Sequence, residues 1–161
     1  MIIRDATPAD AEAIRNIYAP YVTDTAISFE EEVPSIEDMA GRISTLQPNY
    51  GYHVAIIDGR IAGYAYGSSY RPRHAYRFTA EVSVYVDAAY QGKGVGRALY
   101  DVLILDLKER GYHALIGIIT LPNPASRRLH ESRGFELIGI TPQVGFKFDT
   151  WHDIGIFQKM L

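Results

Sequence analysis

Three glycines at alternate positions mark the part of this chain that is best suited to holding an anion. They lie in Gln91-Gly92-Lys93-Gly94-Val95-Gly96-Arg97, directly before a long amphipathic segment. A backbone without Cβ atoms can approach a ligand closely, and N–H groups converge on an anion where a helix begins. Lys93 and Arg97 add positive charge. The segment therefore predicts a site for a phosphate-bearing cofactor.

Two better-known phosphate motifs do not fit this turn. A P-loop requires G-x-x-x-x-G-K-[ST], but Lys93 is followed by Gly94. A dinucleotide fingerprint requires G-x-G-x-x-G, and here the third glycine comes one residue early. Taken alone, the turn is also compatible with a glycine-rich surface loop at the start of a helix.

A strand with two distinct faces is predicted directly before the turn. Glu81, Ser83 and Tyr85 share one face, and three valines share the other. The polar face suits the wall of a substrate cleft, and it equally suits an exposed strand surface. The alternation does not decide between these two interpretations.

A basic loop runs from Tyr70 to Arg77 in a protein whose net charge is -3. It holds three arginines, one histidine and two tyrosines. Guanidinium forks suit carboxylate and phosphinate groups, so the loop favours an acidic substrate over a polycation. A solvated basic loop is the alternative.

Composition excludes several classes of site. Cysteine is absent, which rules out disulfides, thiolate metal sites and a cysteine nucleophile. We expect no metal centre. The net negative charge disfavours nucleic acid and anionic membranes as partners. Residues 1–5 lack the apolar stretch of a signal peptide, and no run is long enough to span a bilayer, so a cytoplasmic location is expected. The length predicts a single domain over residues 1–161.

The hydrophobic spacing predicts four helices that alternate with strands. The first helix begins at Thr7-Pro8 and ends near Ala19, before Pro20, and the second begins at Ser35 and is stopped by Pro48-Asn49. The third helix covers Gly94 to Arg110 and is ended by Gly111. Its apolar side consists of Val95, Leu99, Val102, Leu103 and Leu107. The fourth helix covers Ala125 to Arg133.

Strands are predicted around these helices, giving a mixed α/β sheet with helices on its faces. The order is β-α-α-β-β-β-α-β-α-β-β. The strand segments are Ile2 to Asp5, Tyr52 to Ile57, Ile61 to Ser69, Phe78 to Val86, Ala114 to Thr120, Phe135 to Ile140 and Val144 to Lys159.

Two motifs together resemble the GNAT superfamily of acetyl-CoA-dependent acetyltransferases. The family motif [QR]-x-x-G-x-[GA] matches Gln91 to Gly96, and an Asn followed by a short helix ending in Gly-Phe matches Asn123 to Phe135. The segments Thr79 to Val86, Leu121 to Asn123 and Val144 to Asp153 resemble the phosphinothricin and methionine-sulfoximine N-acetyltransferase branch. The resemblance implies a single-domain, mostly antiparallel GNAT-like sheet and acetyl-CoA as co-substrate.

The resemblance also implies roles for individual residues. It assigns Glu81 as general base, acting directly or through a water. His130 stands where many relatives have Tyr, and it could be a second base, an acid or a ligand of the substrate's anionic group, or else a surface histidine. The acetyl group and pantetheine would lie against Val84, Tyr85 and Val86. Asn123 and Ser126 would bind the pantetheine arm or cap the short helix.

The implied substrate is a small acidic amino-acid analogue, acetylated on its α-amine by direct transfer. Arg71, Arg73 and Tyr76 match the branch's substrate loop, Ser83 shares the face of Glu81, and Phe29 matches an aromatic lid. We expect the run Glu30 to Glu32 to be solvated surface, and residues 151–153 to serve strand pairing or a dimer contact. Relatives of this type are usually homodimers. A GNAT that acts on another amine, such as an aminoglycoside or a protein N-terminus, and a non-catalytic acyl-CoA sensor are the alternatives.

Overall fold

A computed structural model describes all residues, 1–161, and contains one sheet of seven strands with helices on both faces. The helices are α1 (Ala11–Thr23), α2 (Ile36–Tyr50), α3 (Val95–Glu109) and α4 (Pro124–Ser132). The strands are β1 (Ile2–Asp5), β2 (Tyr52–Ile57), β3 (Arg60–Ser69), β4 (Thr79–Val86), β5 (Ala114–Leu121), β6 (Glu136–Lys147) and β7 (Thr150–Met160). Their order in the sheet is β1-β2-β3-β4-β5-β7-β6, and only β4 and β5 are parallel neighbours. The predicted mixed, mostly antiparallel α/β fold is confirmed.

Each face of the sheet carries its own apolar core. On one face, α3 packs Leu99, Leu103 and Leu107 against the sheet, and all three are fully buried. On the other face, α1 and α2 contribute a second cluster that includes Ile14 and Ile43. Each such side chain contributes ~1.5–3 kcal/mol when it is fully buried. The sheet is thus held between two helical layers, and any opening through it connects the two sides.

Most of the predicted helical faces and boundaries agree with the structure. Ser35 caps α2 by accepting from the backbone N–H of Asp38 at 3.0 Å. Gly111 adopts φ +88° just beyond α3, as a residue that ends a helix does. Val102 differs, because it is 36% exposed rather than part of the apolar side of α3.

The predictions that α1 ends before Pro20 and that α2 ends at Pro48 are wrong. Both helices continue past their prolines, to Thr23 and Tyr50. A proline has no N–H to donate to the carbonyl four residues earlier, but beyond Pro20 the side chain of Val22 is 1% exposed, so core packing holds the last turn of α1. The carbonyl of Pro20 accepts from the N–H of Asp24 at 2.9 Å, and that of Pro48 accepts from the Arg110 guanidinium at 2.6 Å.

The last two strands form a hairpin whose turn the sequence pattern did not predict. Residues 144–147 belong to β6, and β7 begins only at Thr150, so the predicted strand Val144 to Lys159 is two strands. Phe148 and Asp149 make the turn with φ of 55° and 53°. Such a two-residue turn usually contains glycine or asparagine, so this one gives little signal in the sequence.

None of the four helices combines the length and the apolar character needed to cross a bilayer.

Candidate active site

A gap in the sheet lies between its two parallel strands. Backbone pairing of β4 with β5 covers only Thr79 to Glu81 opposite Ala114 to Ile116. Beyond that point β4 continues to Val86 and β5 to Leu121 without pairing to each other. The two strands therefore separate just after Glu81 and leave a cleft that runs through the sheet.

Two cavities fill this cleft and meet inside it. The outer cavity has a volume of about 450 Å³ and the inner one about 50 Å³. They share Ile27, Val84, Asn123 and Ser126. The inner cavity is lined from both faces of the sheet, by Ser83, Tyr85 and Ile118 on one side and by Val82, Tyr100 and His130 on the other. A long ligand in the outer cavity can thus reach a second ligand on the opposite face.

The glycine turn forms one wall of the outer cavity. Gln91, Gly92, Val95, Gly96 and Arg97 line it together with Gly94. Gly92 and Gly94 have φ of +73° and +79°, which side-chain-bearing residues rarely adopt. The first bond within α3 runs from Ala98 to the Gly94 carbonyl, so the preceding N–H groups have no partner inside the helix. Lys93 does not line the cavity, and its ammonium lies 5.2 Å from the Tyr90 ring.

The start of α4 faces the turn across the outer cavity. The Asn123 side chain caps this helix by accepting from the N–H of Ser126 at 3.1 Å. Both residues also line both cavities. Capping and ligand contact are therefore compatible at this position. The cavity has the volume, the backbone donors and the cationic Arg97 that a pyrophosphate-bearing ligand requires.

His130 is a buried residue of α4 and is only 3% exposed, so its interpretation as a surface histidine is wrong. Its Nδ1 donates to the backbone carbonyl of Ser126 at 2.8 Å. In the neutral ring, Nε2 then accepts from the Tyr100 hydroxyl at 3.0 Å. Burial lowers the pKa of His130, and the bond to Ser126 acts in the opposite direction. Both ring nitrogens of His130 are therefore occupied, one by the Ser126 carbonyl and the other by the Tyr100 hydroxyl.

Glu81 lies on the opposite face, where β4 and β5 begin to separate. It is half-buried and lines neither cavity, whereas Ser83, next on the same face, lines the inner one. Burial raises the pKa of Glu81, and no protein side chain hydrogen-bonds to its carboxylate. An unpaired, partly desolvated carboxylate beside a cleft has the properties of a general base.

The matched family settles what kind of cleft this is. The model of the acetyltransferase (GNAT) domain matches residues 3–156. The chain belongs to the GNAT acetyltransferase family. Acetyl-CoA is therefore the acetyl donor of this acetyltransferase, in agreement with the predicted co-substrate.

Similar proteins place the acetyltransferase within the predicted branch. It is 34% identical over 157 residues to phosphinothricin N-acetyltransferase of Streptomyces viridochromogenes, covering 98% of this chain and 86% of that protein. It is 37% identical over 163 residues to the L-methionine sulfoximine/L-methionine sulfone acetyltransferase of Salmonella typhimurium, covering 100% and 95%. A crystal structure of the GNAT phosphinothricin acetyltransferase of Sinorhizobium meliloti in complex with AcCoA superposes with TM-score 0.95 at 40% identity, covering 99% and 88%.

The basic loop of this acetyltransferase lies outside both cavities. Arg71 and Arg73 are exposed and form no ion pair. The Arg71 guanidinium stacks 5.0 Å from the Tyr70 ring and 5.7 Å from the Tyr76 ring. The loop leads directly into β4 and so ends close to Glu81 in the chain. The Arg71 and Arg73 guanidinium groups have no acidic partner within the protein.

The loop between α1 and α2 differs from the prediction in two respects. Phe29 does not line the cavities, because its ring packs on the backbone of Gly145 and lies 6.1 Å from the His152 ring. Glu30 is not solvated surface, because its carboxylate accepts from the Arg42 guanidinium at 3.0 and 2.5 Å.

Several lining residues were not predicted from the sequence. Ile27 contacts both cavities but lies in an irregular loop without periodicity. Tyr21 lines the outer cavity and donates to the Val86 carbonyl at 2.6 Å. Tyr100 is the one residue that helical spacing could have identified, because it lies one turn after Gly96 on α3.

Proposed function

We propose that this acetyltransferase transfers the acetyl group of acetyl-CoA to the α-amine of small acidic amino-acid analogues of the phosphinothricin, methionine sulfoximine or methionine sulfone type. The observation that carries the proposal is the cleft that passes through the sheet. It joins an anion-binding turn on one side to the face of β4 that carries Ser83, next to the unpaired carboxylate of Glu81. The 161 residues would act as a single N-acetyltransferase domain in the cytoplasm.

The pyrophosphate of acetyl-CoA would bind to the glycine turn. The unpartnered N–H groups that begin α3, with Gln91 and Arg97, supply the donors, and Lys93 adds charge from the rim. The pantetheine arm would follow the unpaired edge of β4 from Val86 to Val84 into the gap. Asn123 and Ser126 border the same path on the opposite wall.

Glu81 would take the proton that makes the amine nucleophilic. The carboxylate lies one strand position before the inner cavity, so direct contact or one bridging water can connect it to the amine. The amine nitrogen then bonds to the acetyl carbon while the carbon–sulfur bond breaks and the sulfur leaves with the electron pair. The surplus proton of the nitrogen passes to this thiolate, so that CoA leaves as the thiol. No side-chain nucleophile takes part.

His130 would support this transfer through its neighbour. His130 itself lines the inner cavity, but because both of its ring nitrogens are engaged, we infer that it acts there through the Tyr100 hydroxyl. The lowered pKa keeps the ring neutral near neutral pH. Of the roles that the sequence left open, this arrangement disfavours a direct ligand of the substrate's anionic group, and a role as base or acid would pass through the Tyr100 hydroxyl.

The acidic group of the substrate would bind to the basic loop. The guanidinium groups of Arg71 and Arg73 are unpaired and can each bind a carboxylate or phosphinate with two hydrogen bonds. Tyr76 stacks on Arg71 and holds it in place. Ser83 lines the inner cavity. Phe29 would act from outside the cleft, as an anchor of the wall that carries Ile27. A polycationic acceptor is disfavoured because it would meet this positive charge.

We also propose a homodimer formed through the face of β6 and β7. The strand β6 is a sheet edge, and it presents a row of apolar side chains that are each more than half exposed: Ile138, Ile140, Val144 and Phe146, with Trp151 beside them on β7. Exposed apolar patches of this kind mark interaction surfaces. Sedimentation of wild type and Phe146→Ser should show a dimer that dissociates in the variant.

Steady-state acetyl transfer tests the proposed reaction. Release of the CoA thiol is measured with phosphinothricin, methionine sulfoximine and methionine sulfone, and in parallel with kanamycin, spermidine and a lysine-rich peptide. We expect turnover of the acidic amino acids and little with the cationic amines. Turnover of a cationic amine alone would overturn the substrate class, and CoA binding without any turnover would favour a sensor.

A further inference from the structure

The buried ammonium of Lys147 holds a loop that borders the cleft. Lys147 lies at the end of β6 and is 3% exposed. Its Nζ donates three hydrogen bonds of 2.7 Å each, to the backbone carbonyls of Val22, Ser28 and Glu30. An ammonium has three protons, so its donor capacity is fully used. The bonds tie the C-terminal turn of α1 and the following loop to the C-terminal hairpin.

The same loop is fixed by side chains on either side of Lys147. The Glu30 carboxylate accepts from Arg42 and from the Tyr18 hydroxyl, which also bonds to Ser28 at 2.6 Å. The Phe29 ring packs directly on the Gly145 backbone. Residues 24–35 contain no helix or strand, so these contacts and the Lys147 bonds determine their path.

Ile27 is the part of this loop that reaches the cleft. It lies between the two anchored segments, directly before the Ser28 carbonyl that Lys147 holds. Its side chain is 41% exposed and borders the outer and the inner cavity where they meet. A shift of the loop would therefore move the apolar wall at the junction of the two cavities.

We propose that Lys147 is a positioning residue for the acceptor amine: through the carbonyls of the loop, it holds Ile27 against the junction of the cavities. The acceptor's side chain then packs on a wall of fixed position. This inference rests on the proposed function, because it takes the junction as the place where the amine meets the thioester. A buried cation is costly unless it is fully hydrogen-bonded, and the three bonds meet that requirement.

Lys147→Met removes the three bonds and retains a long side chain. Lys159→Met is the matched control, because Lys159 lies on the neighbouring β7, is half-buried and makes no hydrogen bond to the loop. We expect Lys147→Met to raise KM for methionine sulfone by about tenfold or more, with a smaller change in kcat and an unchanged Kd for acetyl-CoA. Backbone amides 24–30 should exchange faster only in this variant. An unchanged KM, or an equal loss of acetyl-CoA affinity, would overturn the proposal.

A double-mutant cycle with Ile27→Ala separates positioning from a general structural effect. Ile27 is 41% exposed and belongs to neither apolar core cluster, so this variant should fold even if Lys147→Met does not. If Lys147 acts through Ile27, Ile27→Ala alone raises KM, and adding Lys147→Met raises it little further. Independent, multiplying increases in KM, or no effect of Ile27→Ala, would refute the inference. Failure of wild type to acetylate any acidic analogue would instead refute the proposed function.

Discussion

Replacing Glu81 by Gln separates its chemistry from its packing. Glutamine keeps the shape of the side chain but cannot accept the proton of the amine. A positioned general base contributes ~10²–10⁴-fold to the rate, so kcat/KM at neutral pH should fall by at least ~10²-fold. The Kd of acetyl-CoA should not change, because Glu81 lines neither cavity.

The pH dependence gives the same prediction a second readout. Burial raises the pKa of Glu81, and the ionised carboxylate is the active form. The wild-type rate should therefore rise with pH through a value above the usual pKa of glutamate. This limb of the profile should be absent in Glu81→Gln, whose residual rate follows only the ionisation of the substrate amine.

Stability should change in the opposite direction to activity. A carboxyl whose pKa is raised in the folded state favours folding at low pH and loses that contribution as pH rises through the folded value. At neutral pH the half-buried carboxylate has no hydrogen-bonding side chain, so the neutral amide should leave the free energy of unfolding unchanged or higher. Circular dichroism with urea measures it. An unchanged kcat/KM would remove Glu81 as the base, and a clear loss of stability would refute the account of its surroundings.

Four further substitutions test other parts of the protein. Arg73→Ala should raise KM for acidic acceptors by about tenfold with little change in kcat, and an equal effect on a neutral amine would count against charge recognition. Gly94→Ala and Gly111→Ala place a side chain at φ of +79° and +88° at opposite ends of α3, so each should cost ~1–2 kcal/mol in urea unfolding, but only the first should weaken acetyl-CoA binding in calorimetry. Gly117→Ala would bring a Cβ to 2.6 Å from the His130 ring, so it should destabilise the protein by ~1–3 kcal/mol and lower kcat, and wild-type values would contradict the packing described for His130.

Local motifs were sufficient to predict the glycine turn and the capped start of α4, which line the outer cavity. The spacing from Gln91 to Gly96 encodes the turn in consecutive residues, and Asn123 encodes its helix cap within three positions. Their geometry depends on backbone conformation and nearby N–H groups. Such features are readable from sequence, because the interacting groups are neighbours in the chain.

The loop between α1 and α2 depends on contacts between distant residues, which the sequence pattern does not reveal. Glu30 was expected to be solvated, but its partner Arg42 is on α2. Lys147 and the carbonyl of Val22 come from opposite ends of the chain. Ile27 gains its position only from these contacts. Helix propensity likewise predicted the wrong end for α1, because the continuation of this helix past Pro20 depends on its packing in the core.

The proposed reaction acetylates an amine whose carrier is recognised by its acidic groups. The most direct measurement is kcat/KM of the wild-type protein for methionine sulfone and for its methyl ester, which differ in the charge of the α-carboxyl group. The account predicts acetylation of the free acid and a kcat/KM for the ester that is lower by about tenfold or more. Equal values, or acetylation of the ester alone, would contradict it.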